Sequence, residues 1–124
     1  MLFEDVTKSI VGAAYKVYNN MGFGYLEKVY EKCMLIELSE INGLDIKHQC
    51  PIKVEYKGLD VGDFVADLLI NDSIIVELKS VRQLSVVHEV QMVNYLKATG
   101  MDLGLLINFG EQKVDIKRKV KELK

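Results

Sequence analysis

The sequence predicts an α/β domain of mixed α+β character, with a central mixed β-sheet flanked by helices, and three observations carry that expectation. The hydrophobic period switches from helical to extended after Gly43 and becomes helical only once more, after Ser85. The resulting order is helix, helix, three strands, helix, two strands, which suits a sheet with helices packed on it. Finally, 124 residues that are 49% hydrophobic and 27% charged, with nine Gly and one Pro, supply one core of useful size. No repeat, linker or low-complexity segment interrupts the chain, so residues 1–124 read as one domain.

Each element has its own warrant. Between Phe3 and Asn19, Val6, Ile10, Ala13, Ala14 and Val17 recur at helical spacing, and Gly22 and Gly24 end the pattern. A second helix is expected from about Tyr25 to Ile41, with Leu26, Val29, Tyr30, Cys33 and Ile36 on successive turns and Asn42-Gly43 as its stop. Ile46 to Tyr56 has the alternation and β-branching of a strand, Lys57-Gly58 turns the chain, and Val61 to Ile70 returns it. Asn71-Asp72-Ser73 makes the turn into the strand Ile74 to Lys79. Ser85 is placed to cap a helix from Val86 to Ala98, closed by Gly100. Leu103 to Asn108 and Lys113 to Val120 complete the sheet, parted by Phe109-Gly110.

Composition excludes several classes of function. Cys33 and Cys50 are too few for a disulfide framework and lack the spacing of a structural zinc site. Glu4 and Asp5 stand where a secretory leader wants Lys or Arg, and no apolar run approaches the roughly 18 residues of a membrane span, so a cytoplasmic location and no membrane partner are expected. The net charge of −2 argues against holding nucleic acid by blanket electrostatics. The charge is uneven, however. Residues 113 to 124 carry six bases, Lys113, Lys117, Arg118, Lys119, Lys121 and Lys124, against Asp115 and Glu122, a local +4 that reads as a solvated end or as a surface for a polyanion.

The chemically informative feature is acid inside apolar strands. Asp67 lies in Phe64-Val65-Ala66-Asp67-Leu68-Leu69-Ile70 and Glu77 in Ile74-Ile75-Val76-Glu77-Leu78, where an uncompensated carboxylate is costly to desolvate. Strand alternation sends Glu77 and Lys79 to one face, about 6 to 7 Å apart. Asp67 joins them only if the turn register allows it. A three-residue loop at Asn71-Asp72-Ser73 pairs Ile70 with Ile74 and sets Asp67 beside Glu77, whereas a two-residue loop would send Asp67 to the other face; the three-residue loop is the expectation. Two carboxylates and a lysine then converge as in a divalent-metal site with oxygen ligands.

An Asp at the end of one strand followed by Glu-x-Lys on the next, here Asp67 and Glu77-Leu78-Lys79, resembles the signature of the PD-(D/E)XK nuclease superfamily. Gly24-Tyr25-Leu26-Glu27-Lys28-Val29-Tyr30 is similar to the motif that names the GxxExxY protein family, a small branch of that superfamily. The likeness continues through Asp67-Leu68-Leu69-Ile70, Val76-Glu77-Leu78-Lys79, Gln91 with Asn94-Tyr95-Leu96-Lys97, Gly104 to Gly110 and Ile116-Lys117-Arg118. Ala66 stands where the superfamily's name has Pro, and Val65 where the branch often has a basic residue.

The resemblance implies a restriction-endonuclease-like core with the acids on a hairpin near the sheet centre. It implies a divalent-metal-dependent nuclease acting on DNA or RNA, with Asp67, Glu77 and Lys79 as catalytic core, leaving 5′-phosphate and 3′-hydroxyl ends. Asp67 and Glu77, with the Leu78 carbonyl, would ligate Mg²⁺ or Mn²⁺; Glu27 would add a carboxylate directly or through water. Lys79 would position or help deprotonate the attacking water and stabilise charge on the phosphate. Gln91 and Tyr95 match the Gln-x-x-x-Tyr element of the RecB-like nucleases, and His88, Gln91 and Tyr95 share a stripe that brings one helix edge toward the site. Selectivity in so short a chain would rest on substrate shape, a homodimer or a partner protein.

Plainer readings stand beside these. Glu77 and Lys79 alone would suit a solvent-facing edge strand, and Glu27 a dipole-favoured position at a helix start. Tyr30 and Tyr95 read as packing residues with satisfied hydroxyls, and Gln91 also suits a cap on a buried polar group. His48 reads as surface strand, His88 as structural in a first helical turn, Cys33 and Cys50 as packing, and Gly22 and Gly24 as backbone requirements. The alternative function is a non-catalytic nucleic-acid-binding or assembly module that keeps the nuclease fold.

Overall fold

The computed structural model describes residues 3–121. Its elements are α1 (Phe3–Met21), α2 (Glu27–Ser39), β1 (Ile46–Tyr56), β2 (Leu59–Ile70), β3 (Ile74–Lys79), α3 (Val86–Thr99), β4 (Leu103–Phe109) and β5 (Val114–Val120). The strands form one sheet in the order β1-β2-β3-β4-β5. β1, β2 and β3 run antiparallel in sequence, α3 carries the chain over to make β4 parallel to β3, and β5 returns antiparallel to β4. This is the mixed, helix-flanked sheet that the hydrophobic periods predict.

Two boundaries move for local reasons. Helix α2 begins at Glu27 rather than Tyr25, because Gly24 at φ +115° and Leu26 in extended geometry keep the chain out of the helix until then. Strand β2 begins at Leu59 because Lys57 and Gly58, both at positive φ, turn the hairpin in two residues and let pairing reach Tyr56↔Leu59.

The sheet is covered on both faces. Helices α1 and α2 pack Val6, Ile10, Tyr30, Met34 and Leu38 onto Leu68, Ile70, Val76, Leu78, Leu105, Ile107 and Phe109. Helix α3 packs Met92 and Leu96 onto Ala66, Leu69, Ile75 and Leu106 on the opposite face. All seven residues of β4 are buried, as a strand covered on both sides requires. No helix among the described residues is long and apolar enough to cross a membrane.

The parity of β3 is regular: Ile74, Val76 and Leu78 enter the α1/α2 layer and Ile75 the α3 layer, so Glu77 and Lys79 belong to the α3 side. Strand β2 is not regular. Leu68 and Ile70 enter the α1/α2 layer, yet Ala66 and Leu69 both enter the α3 layer, so the alternation slips by one residue at Asp67. Opposite the slip, Gln49 sits at φ +50° between the pairs His48↔Leu68 and Cys50↔Ala66. The irregularity falls at an acid that has to be aimed, a common use of local strand distortion.

Candidate active site

The turn between β2 and β3 sets the register on which the site depends. Asn71 and Asp72 both adopt φ +53°, the left-handed region that Asn and Asp tolerate better than most residues. The Ser73 N–H donates to the Ile70 carbonyl at 3.1 Å, and the Asn71 N–H donates to the Asp45 carbonyl at 2.8 Å. Asn71 Oδ1 in turn accepts from the Asp45 N–H at 2.8 Å. Ile70 therefore pairs with Ile74, as the three-residue loop requires, and counting back sets Asp67 beside Glu77.

The two acids differ in what holds them. Asp67 Oδ2 accepts the Leu78 N–H at 2.8 Å, so its carboxylate takes the place of a ladder carbonyl at the point where β2 and β3 stop pairing regularly. Burial pushes the Glu77 carboxyl up to about 9, helped by the charge of Asp67 and a hydrogen bond with it, while Lys79 pulls weakly the other way. With no cation between them, the pair therefore holds a proton at neutral pH. Burial, and secondarily the charge of Glu77, also raises the Tyr95 phenol. The Tyr95 ring is stacked on Phe64 at 3.7 Å with planes 8° apart, which fixes it against β2.

Asp67, Glu77 and Lys79 open into one cavity of about 250 Å³, which Glu27, His88, Gln91 and Tyr95 also line, with Phe64, Val65, Met92 and Leu106 as apolar wall. All five side chains singled out as catalytic from the sequence thus face one space. Among the described residues no ion pair closes Lys79 onto either acid.

Glu27 reaches the cavity from the first position of α2. The loop before it is held by Tyr30, whose hydroxyl donates to the Gly22 carbonyl and accepts the Tyr25 N–H, and by Ser80, whose hydroxyl donates to the Tyr25 carbonyl at 2.7 Å. Tyr30 is itself fully buried and stacked on Phe109 at 4.3 Å. It is a packing and loop-holding residue, as its plainer reading expects.

The donor set suits a hard divalent cation in its chemistry: two carboxylates, of which Glu77 is kept protonated at neutral pH by burial and by the charge of Asp67. It is a pair and not a cluster, since no group of three or more His, Cys, Asp or Glu side chains arranged to hold a metal occurs among the described residues. Glu27 stands at the rim as an exposed carboxylate. Leu78 buries its side chain in the opposite core and gives its N–H to Asp67.

Several residues matter more than the sequence discloses. Asn108, 1% exposed in an otherwise apolar β4, accepts the Val81 N–H at 3.0 Å and donates to the Val81 carbonyl at 2.9 Å, clasping the chain that leaves Lys79. A buried amide in the run Leu105-Leu106-Ile107-Asn108-Phe109 is the signal that points to it. Gly104 leaves room for Met92, whose Sδ would lie 2.3 Å from an added Cβ. His88 both caps α3 and lines the cavity.

The remaining expectations resolve simply. His48 is an exposed strand residue, and Cys33 and Cys50 are half-buried against the two cores. In the basic C-terminal segment Lys119 binds Glu89 of α3 at 2.7 Å and Lys117 lies 3.8 Å from Asp115, while Glu122 and Lys124 lie outside the described residues.

A family model of the PD-(D/E)XK nuclease superfamily matches residues 4–119. Among solved structures, the crystal structure of SSO0001 is similar in fold, with a TM-score of 0.61 at 16% identity, covering 98% of this chain and 61% of that one. The chain thus spans about three-fifths of the length of that solved chain. No curated protein matches the sequence.

Proposed function

Since the chain belongs to the PD-(D/E)XK nuclease superfamily, we propose that it is a divalent-metal-dependent nuclease with Asp67, Glu77 and Lys79 as its catalytic core. The observation that carries this reading is the convergence of the two acids and the lysine in one open cavity, with the acids on adjoining strands and, among the described residues, no ion pair neutralising them. A module that only binds nucleic acid has no physical use for a carboxylate held protonated beside another.

Bound Mg²⁺ or Mn²⁺ would polarise the phosphodiester and lower the pKa of an attacking water. Asp67 is preset for that role, because Leu78 fixes one carboxylate oxygen and leaves the other toward Glu77. Glu77, as its carboxylate, would be the second ligand. Lys79, one strand step pair beyond Glu77 on the same side, faces the phosphate and orients the water. Glu27 at the rim would add a carboxylate directly or through water and the Leu78 carbonyl a further oxygen, while the Gln91 amide would contact the strand. In-line attack of water on phosphorus would form the new P–O bond as the P–O3′ bond breaks, a proton from the water passing by way of solvent to the departing O3′, so that the products are a 5′-phosphate and a 3′-hydroxyl.

The test is cleavage of single- and double-stranded DNA and RNA with EDTA, Mg²⁺ or Mn²⁺, wild type beside Lys79→Ala and Asp67→Asn. Metal-dependent cutting lost in both variants supports the reading. Equal integrity of every substrate with all three proteins overturns it in favour of a binding module.

A further inference from the structure

We propose that His88 is a phosphate-binding residue of this site, donating its Nε2–H to a non-bridging oxygen of the nucleic-acid strand. The inference rests on the nuclease reading above and adds a residue to it.

His88 occupies the third position of α3, and its ring is tied back to the residue that starts the helix. The Ser85 backbone N–H donates to His88 Nδ1 at 3.3 Å, and the Ser85 hydroxyl oxygen lies 3.4 Å from the same nitrogen. A nitrogen that accepts a backbone N–H carries no proton, so the proton of the neutral imidazole resides on Nε2, the far side of the ring. That ring is half-buried and lines the cavity of Asp67, Glu77 and Lys79.

A capping histidine needs only its Nδ1. The cap alone would be served as well by a ring turned to solvent, whereas this ring lines the same space as Asp67, Glu77 and Lys79. Asp67 Oδ2 already accepts the Leu78 N–H, and among the described residues the His88 ring makes no hydrogen bond to either acid. The group such a donor fits is an anion entering from outside with two equivalent oxygens, which is what a phosphodiester presents. Gln91 lies one turn further along the same helix edge and Lys79 approaches from β3, so the three donors flank the place where a strand would lie over the acids.

Two variants separate the cap from the contact. In His88→Asn the amide oxygen stands near the Nδ1 position and can still accept from Ser85, but nothing reaches the cavity. In His88→Gln the longer amide puts a donor near the Nε2 position and gives up the cap. The measurements are thermal midpoints, cleavage kinetics with Mg²⁺, and anisotropy titration of fluorescein-labelled single- and double-stranded DNA and RNA 20-mers with Ca²⁺ replacing Mg²⁺.

The expected result is that His88→Asn melts like wild type but binds about tenfold more weakly and raises KM by a similar factor, the size of one charge-assisted hydrogen bond. His88→Gln melts lower yet binds within about twofold of wild type. Wild-type binding by His88→Asn, or equal loss in both variants, overturns the proposal while leaving the nuclease reading in place. Should wild type bind without cutting, the nuclease reading falls and the binding arm still decides the role of His88; absence of binding by wild type overturns both.

Discussion

The Leu78 N–H donates to Asp67 Oδ2 across 2.8 Å, so the first acid of the site is held by the backbone of the strand that carries the second. The contact is made where regular β2–β3 pairing ends, and it converts the end of a hairpin into a fixed carboxylate.

That contact separates two substitutions of one residue. Asp67→Asn keeps an oxygen for Leu78 and can still hydrogen-bond to Glu77, so urea denaturation at neutral pH should show stability close to wild type. Asp67→Ala leaves the Leu78 N–H without its acceptor and should cost about 1–3 kcal/mol. Both should abolish metal binding by calorimetry and lower cleavage by about 100-fold or more.

Glu77 makes stability and metal binding depend on pH in opposite senses. Its folded value of about 9 lies above the ordinary carboxyl value of 4.5, so between these the folded chain holds a proton the unfolded chain lacks. The contribution of this group is fully present below pH 4.5, declines as pH rises and levels off above pH 9. Mg²⁺ affinity should instead climb through the same window, with about one proton released per ion at pH 7. Calorimetry in two buffers of different ionisation enthalpy counts that proton, and Glu77→Gln should release none.

Asn108 should act at a distance from the chemistry. Asn108→Ala removes both hydrogen bonds to Val81 and should cost about 2–4 kcal/mol. The diagnostic is local: amide exchange at Val81 should quicken more than at Ile107, because the clasp secures the segment following Lys79.

Gly104 and Met92 should be coupled. A Cβ at position 104 would lie 2.3 Å from Met92 Sδ, so Gly104→Ala must displace a side chain that is 1% exposed and lines the cavity. The expected loss is about 1–3 kcal/mol. In the Gly104→Ala/Met92→Ala double variant the two losses should add to less than their sum, as chemical denaturation of the four proteins would reveal.

Much of this architecture can be read from residue order, because it rests on periodicities that local physics enforces. Val6, Ile10 and Val17 mark the buried face of α1, and the parity of Ile75, Glu77 and Lys79 on β3 is set by a period of two. The placement of Asp67 beside Glu77 was legible through the odd turn Asn71-Asp72-Ser73. What was not legible depends on contacts distant in sequence. The slip of β2 at Asp67 needs Gln49 in a left-handed conformation, and no local rule sends Gln there. The dual position of His88 arises only when α3 is laid against the sheet, and the clasp of Asn108 on Val81 joins segments 27 residues apart. Glu27 was readable as a motif residue, whereas the Tyr30 hydroxyl that holds its loop shows itself only in three dimensions.

The two faces of the sheet are unequally filled. Among the described residues, 18 buried side chains knit α1 and α2 to the sheet, while the layer under α3 rests on six. Helix α3 is fastened to the smaller layer by contacts of another kind: Tyr95 stacks on Phe64 of β2 and Glu89 pairs with Lys119 of β5. Asp67, Glu77 and Lys79 ride on strands anchored from the other side, and His88, Gln91 and Tyr95 ride on α3. The cavity is therefore walled by two differently built sides, strands locked into the larger core and a helix pinned by an aromatic stack and an ion pair.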